Sequence, residues 1–265
     1  MTCCPVCGIG MHSVFSATLL KKYEIAYERC PACGLLQTEA PYWLDEAYND
    51  AISIADTGLV ARNLDLAAKL AVLLYLRFDP QGAYLDVAGG YGMLARLMRD
   101  YGFDYYWDDK YCQNLLARGF EADKNKRTFT AVSAFEVLEH LHDPLAFIRE
   151  QFDQHHCRTL IFTTELYAGR EPPSKDWWYY TFDTGQHISF YQKETFVEIA
   201  KKLQVNFYSM HGIHILTDRQ IRTNLHLQLA TGRAARIAAP LIRRSLGSRT
   251  ISDHHALMEQ TTDRT

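Results

Sequence analysis

Apolar residues recur along the chain with two periods. Within 59–78 they fall at Leu66, Leu70, Leu73 and Leu74, one stripe of an amphipathic helix that Pro80 closes. From residue 83 onward short apolar runs alternate with helical segments. The pattern predicts strands over 83–88, 103–107, 129–135 and 158–163. Between them it predicts helices over 93–101, 111–118 and 144–153, the last with Asp143 as N-cap and Pro144 at its first position. This order predicts an α/β fold, a doubly wound, Rossmann-like and mostly parallel sheet. A helix over 192–203 and two strands, 205–209 and 213–216, around His211-Gly212 add an antiparallel closing hairpin.

Three segments break the rhythm. In the first 40 residues, short strands at Val14-Phe15 and over 23–27 lie between two cysteine pairs, which predicts a small N-terminal zinc ribbon. The stretch 165–190 holds Pro172-Pro173 and Trp177-Trp178-Tyr179-Tyr180. A long aromatic loop after a strand of such a sheet belongs at the carboxyl edge, where ligands bind. Its four aromatics can form a lid or roof the sheet. From Arg219 to Arg249 there are seven arginines and no acid, with apolar residues at Leu225, Leu227, Leu229, Ile237, Leu241 and Ile242. The chain thus reads as a zinc-binding module (1–40), a linker (41–58), an α/β domain (59–217) and a basic helical extension (218–265).

Composition narrows the function classes. Among 265 residues, 28 are basic and 31 acidic, and 48% are hydrophobic. These are folded-domain values, which exclude a disordered chain and a polycation that coats nucleic acid. The longest apolar run covers only 70–76, far short of the roughly 18–20 residues of a membrane span. No basic-then-apolar leader is visible, so the expected compartment is the cytoplasm.

Five of the seven cysteines fall in the first 33 residues. Cys4-Pro-Val-Cys7-Gly and Cys30-Pro-Ala-Cys33-Gly are two knuckles of the kind that bring thiolates to one ion. Cys4, Cys7, Cys30 and Cys33 are the expected ligands of a structural zinc, since four thiolates leave no open position. Cys3 lacks the spacing to Cys7.

The stretch from Tyr84 to Leu94 reads Tyr-Leu-Asp-Val-Ala-Gly-Gly-Tyr-Gly-Met-Leu, between a strand and a helix. Gly90-x-Gly92-x-x-Ala95 fits a dinucleotide fingerprint. Asp86 argues against it, because a carboxylate there repels a pyrophosphate and suits an ammonium. A second acid after the next strand, Asp108 or Asp109, can accept ribose hydroxyls. Together they favour a cationic, ribose-bearing ligand without phosphate.

On these residues the sequence resembles the class I S-adenosylmethionine-dependent methyltransferases, whose first motif is an acid followed by x-G-x-G-x-G. Here Ala88 stands where the first glycine is usual, and an alanine holds that turn if its φ is negative. The segment from Ala134 to Pro144, Ala-Phe-Glu-Val-Leu-Glu-His-Leu-His-Asp-Pro, is similar to the family's segment after its fourth strand. The cysteine knuckles with Gly34-Leu-Leu-Gln-Thr resemble the zinc module of sugar methyltransferases. Gly185-Gln-His-Ile-Ser-Phe-Tyr191 resembles methyltransferases of surface-polysaccharide synthesis. The resemblance implies that Asp86, Ala88, Gly90 and Gly92 hold the methionine end of S-adenosylmethionine, that Asp109 binds its ribose and that Phe135 lines it. A core aromatic is the other reading of Phe135; Glu121 and Asp123 read as solvated charges, with a place near the adenine as the alternative.

Catalysis is expected from Glu136, Glu139 and His140, which share one side if the chain turns helical after the strand, and from His187 in the aromatic loop. The set resembles the Glu-x-x-Glu-His plus distal His of small-RNA 2′-O-methyltransferases, which place a divalent metal beside the accepting hydroxyl. The alternatives are a metal-free histidine base and purely structural histidines. The expected partner is a small-molecule acceptor, a sugar or glycan precursor methylated on a hydroxyl, rather than nucleic acid. RNA 2′-O-methylation and a non-catalytic, cofactor-binding scaffold are the other readings.

Overall fold

The computed structural model describes residues 2–48, 56–122, 128–222, 227–228, 231–232 and 234–262. Asp123, Leu225 and Leu229 lie outside the described residues.

The chain opens with strands β1 (His12–Leu19), β2 (Tyr23–Arg29) and β3 (Leu36–Thr38), then a short helix α1 (Leu44–Ala47) and a long helix α2 (Leu59–Arg77). The alternating part follows as β4 (Ala83–Val87), α3 (Met93–Asp100), β5 (Asp104–Asp108), β6 (Ala131–Phe135), α4 (Pro144–Gln154) and β7 (Thr159–Thr163). Then come β8 (Ser189–Phe190), α5 (Lys193–Leu203), β9 (Asn206–Met210), β10 (Ile213–Thr217), α6 (Ala235–Leu246) and α7 (Thr250–Thr262).

The expected α/β sheet is present, six-stranded in the order β5-β4-β6-β7-β10-β9. β4 pairs in parallel with both β5 and β6, and β10 pairs antiparallel with β7 and β9. A second sheet has the order β1-β2-β3-β8.

The chain divides into two compact units. One comprises residues 1–51, 134–153 and 158–220, and the other 52–133, 154–157 and 221–265. In the first, the cysteine-bearing ribbon is continuous with residues far along the sequence. Tyr27, Trp43, Tyr179, Tyr180, Ile188 and Phe190 share one apolar core. Trp43, in the stretch read as linker, is 1% exposed and its indole N–H donates to the Gly185 carbonyl at 2.8 Å. Of the four consecutive aromatics, Tyr179 and Tyr180 are buried here while Trp178 stays exposed.

In the second unit α2 packs against α3 and α6. Arg99 and Asp253 form a buried pair, with bonds of 2.7 and 2.8 Å between guanidinium and carboxylate, which ties α7 to α3.

The expected helix over 111–118 does not form. Its amides are taken by other partners: Tyr111 and Cys112 N–H donate to the Asp109 carboxylate, and Leu115 and Leu116 N–H to the Tyr91 carbonyl. The i→i−4 ladder of such a helix would use the Leu115, Leu116 and Ala117 amides, which are committed to the Tyr91 carbonyl and to Asn114 Oδ1 instead. Among the described residues no helix is long and apolar enough to cross a membrane.

Candidate functional site

In the unit built on 52–133, β4 carries Asp86 one residue before its end. The carboxylate is 3% exposed and accepts a 2.8 Å bond from Ser133 Oγ on β6, whose own oxygen lies 2.7 Å from Tyr105 Oη. Burial pushes the carboxyl up to about 7, the Ser133 bond opposes this, and the charge of Asp109 adds to it. An ammonium placed beside it would return it to the ionised state.

The turn after β4 is tight. A side chain on Gly89 would reach 2.7 Å from the Trp107 ring and 3.1 Å from Asp86 Oδ2. Gly92 has φ +84°, and a Cβ there would meet the Ala117 amide at 3.0 Å. Both positions therefore demand glycine. Ala88 departs from expectation: its φ is +56°, the left-handed region that L-residues avoid. The alanine is exposed and strained where the motif ordinarily has glycine. Asp109, after β5, fastens the turn by accepting the Gly90 N–H at 2.8 Å through one oxygen while the other accepts the two loop amides above. A carboxylate offers about four acceptor positions, so one remains for a hydroxyl. Glu121 is engaged by Asn114 Nδ2 and the Gly119 amide.

In the other unit, Phe135 ends β6 half-buried and Glu136 follows with φ +55°. Thr163 Oγ1 accepts the Glu136 N–H at 3.1 Å and donates to its carboxylate at 2.6 Å, which closes a small ring around the strained residue. A single 3-10 turn, Leu138–His140, follows. Glu139, His140 and His187 come together with ligand atoms within 4.8 Å of one another; Glu136 is outside that set, because its left-handed backbone precedes the turn.

Glu139 is fully buried and neither carboxylate oxygen has a hydrogen-bond partner among the described residues. Burial, and then the charge of Glu136, push its carboxyl up to about 8. His140 Nδ1 lies 3.0 Å from the Gln186 carbonyl and 2.8 Å from Tyr48 Oη, and His187 Nδ1 lies 2.7 Å from the Tyr179 carbonyl. A carbonyl only accepts, so in each neutral ring Nδ1 carries the proton and Nε2 the lone pair. Burial lowers the His140 imidazole; burial and then His140 lower His187 to about 3.

Cys4, Cys7, Cys30 and Cys33 also converge, with all sulfurs within 4.8 Å and close pairs at 3.6 Å (Cys4–Cys33) and 3.3 Å (Cys7–Cys30). Thiolates around zinc at ~2.3 Å stand about 3.8 Å apart, so the cluster fits a tetrahedral ion. Cys3 is exposed and outside it. Sequence reading missed Gly89, Ser133, Tyr105 and Tyr48. Only Gly89 had a signal, as the middle of the glycine run.

No curated protein matches the chain. Among solved structures, TnmH aligns at 15% identity over 66% of this chain and 60% of its own, with a TM-score of 0.45. The mitomycin 7-O-methyltransferase MmcR aligns at 12% over 67% and 60%, TM-score 0.45. The magnesium protoporphyrin IX methyltransferase of Synechocystis PCC 6803, solved with bound SAM, aligns at 14% over 65% and 87%, TM-score 0.40. The chain thus spans 60% of the length of the first two. A family model described as a methyltransferase domain matches residues 60–209, more than half of the chain, and the chain belongs to that family.

Proposed function

We propose that the protein is an S-adenosylmethionine-dependent methyltransferase acting on a hydroxyl of a small molecule, a sugar or glycan precursor of the kind used in polysaccharide synthesis. The observation that carries the cofactor reading is Asp86, a buried carboxylate near the end of β4, just before a turn held tight by glycine. When bound, S-adenosylmethionine supplies an electrophilic sulfonium methyl. Asp86 holds the ammonium, the turn from Ala88 to Gly92 cradles the methionine end, and Asp109 accepts a ribose hydroxyl. Displacement at a methyl needs alignment more than acid–base power.

An alcohol acceptor also loses a proton. The Nε2 lone pairs of His140 and His187 are the available bases, held in the right tautomer by the Gln186 and Tyr179 carbonyls. The unpartnered Glu139 carboxylate beside two such nitrogens also fits a divalent cation. Glu139, His140 and His187 would hold it, and it would lower the pKa of a bound hydroxyl. Cys4, Cys7, Cys30 and Cys33 are proposed to hold a structural zinc. The sugar preference rests on the resemblance of the cysteine knuckles and of the stretch 185–191.

Calorimetry of the zinc-loaded protein with S-adenosylhomocysteine tests the reading. Micromolar binding that disappears in Asp86→Ala supports it, and an acceptor screen with nucleotide sugars follows. No binding to folded wild-type protein sinks it.

A further inference from the structure

The cysteine ribbon shares its sheet with a strand from late in the sequence. The Cys30–Cys33 knuckle runs directly into β3, and the Cys30 N–H donates to the Leu35 carbonyl at 2.8 Å. β3 then pairs with β8, Leu36 opposite Phe190 and Gln37 opposite Ser189, and β8 starts two residues after His187. Ile188, the residue after His187, is held from both sides: its carbonyl accepts the Thr38 N–H at 2.9 Å, and its N–H donates to the Glu139 carbonyl at 2.8 Å.

The Gln37 side chain makes the same connection a second time. It is 3% exposed, and its Nε2 donates to the His142 carbonyl at 2.7 Å and to Ser189 Oγ at 2.9 Å. Ser189 Oγ in turn donates to the Leu141 carbonyl at 2.6 Å. The turn that carries Glu139 and His140 and the strand that follows His187 thus meet on one amide. β8 is only two residues long, too short to define a conformation without its partner. Between the knuckle and β3 the chain is held as well, where Thr195 Oγ1 donates to the Cys33 carbonyl at 2.8 Å and Tyr167 Oη to the Gly34 carbonyl.

We infer that β3, anchored in the Cys30–Cys33 knuckle, sets the relative placement of Glu139, His140 and His187, with Gln37 as the positioning residue. The ribbon is then an internal scaffold for the acceptor-side chemistry; this rests on the reading of that cluster given above. Gln37 touches no reacting atom and acts through the His142 and Ser189 contacts. A buried amide with two bonded protons cannot be replaced by an apolar side chain without leaving the His142 carbonyl and Ser189 to find other partners.

The test uses full-length, zinc-loaded protein with 13C-labelled histidine, and compares wild type with Gln37→Leu and Ser189→Ala. The His140 and His187 imidazole signals are assigned by single substitutions. In both variants these two signals should move or broaden, and the contact between their rings, 4.9 Å apart at the centroids, should weaken. The His254 and His255 signals should stay in place, one zinc should remain bound, and the affinity for S-adenosylhomocysteine should stay within about twofold. Ser189→Ala removes a single oxygen and keeps the test open if Gln37→Leu fails to fold. Unmoved His140 and His187 signals in folded, zinc-loaded variants overturn the inference, as does movement of every histidine signal together. Failure of wild type to bind S-adenosylhomocysteine refutes the cofactor reading instead and leaves the histidine signals readable.

Discussion

Replacing Asp86 with Asn should make the unliganded protein more stable as pH rises, relative to wild type, while it abolishes cofactor binding. In wild type, folding moves the carboxyl from an ordinary 3.8 to about 7 because the group is buried beside Ser133 with no cation. An acid whose folded pKa is raised binds more protons folded than unfolded, so its contribution to stability falls as pH climbs from about 4 to about 7, and is flat beyond. Relative to a neutral side chain, the cost is about 4 kcal/mol at pH 8 and about 1.7 kcal/mol at pH 5, at ~1.4 kcal/mol per tenfold change. Asn stays neutral and keeps an oxygen to accept the Ser133 proton. Its N–H pair lacks a partner, a cost of about 1–3 kcal/mol that does not vary with pH. The diagnostic is therefore the change in the Asn-minus-Asp stability difference, about 2.5 kcal/mol between pH 5 and pH 8, read by urea unfolding of both proteins. Binding of an ammonium ligand should also ionise Asp86. Calorimetry at pH 6 in buffers of different ionisation heat should then show close to one proton released per S-adenosylhomocysteine, and none at pH 8. A stability difference that is the same at both pH values would refute the reasoning, since Asp86 would then titrate as an ordinary surface acid.

Ala88→Gly should relieve a left-handed alanine; the gain of ~1–2 kcal/mol in the folded state, partly offset by the freer unfolded chain, predicts a net rise of about 0.5–1 kcal/mol by urea unfolding, with cofactor affinity unchanged or better. If the cluster of Glu139, His140 and His187 binds a divalent cation, Mn2+ at 100 times its dissociation constant should stabilise wild type by ~2.7 kcal/mol and Glu139→Gln hardly at all; equal responses in a melting assay would remove the metal from the proposal. Asp253→Ala leaves the Arg99 guanidinium buried without its main partner and should cost about 3–5 kcal/mol. Arg62→Ala, which breaks an exposed pair with Asp56, should cost less than about 1 kcal/mol in the same unfolding assay.

The sheet was legible because its strands are short, apolar and separated by turn residues, and because Asp86 and Gly92 lie where a strand hands over to a helix. The cysteine cluster was legible because each Cys-x2-Cys turn is local and the same turn occurs twice, and the four sulfurs do converge. The stretch 111–118 was misread because helical periodicity says nothing about competition for amides, and the Tyr91 carbonyl and Asn114 Oδ1 take those of Leu115, Leu116 and Ala117. The stretch 41–58 was read as linker from Pro41, its acids and Gly58, and nothing in that composition shows that Trp43 and Tyr48 find partners more than 90 residues away, at Gly185 and His140. Ser133 was invisible for the same reason, and Gln37, though part of the quoted Gly34-Leu-Leu-Gln-Thr, shows its contacts with His142 and Ser189 only once the sheets form.

Two strained residues stand at the ends of strands in the six-stranded sheet. Ala88 and Glu136 each follow the last residue of a strand in the six-stranded sheet, β4 and β6, and each is left-handed without being glycine. Most of the other left-handed non-glycine residues, such as Leu20 and Lys21 in the β1–β2 turn or Gln204 at the end of α5, have ordinary turn or capping roles. At ~1–2 kcal/mol each, the strain at the strand ends needs a return. At Glu136 that return is visible as the ring closed with Thr163, which points the chain into the 3-10 turn where Glu139 and His140 meet His187. At Ala88 no such ring exists, and the residue is exposed. The two positions should therefore respond oppositely to glycine. Ala88→Gly loses nothing but strain, whereas Glu136→Gly releases strain and also opens the ring that sets the turn. Glu136→Gly should leave global stability within about 1 kcal/mol of wild type, yet shift the His140 and His187 imidazole signals. If those signals stay put, the left-handed residue after β6 has no part in placing the cluster.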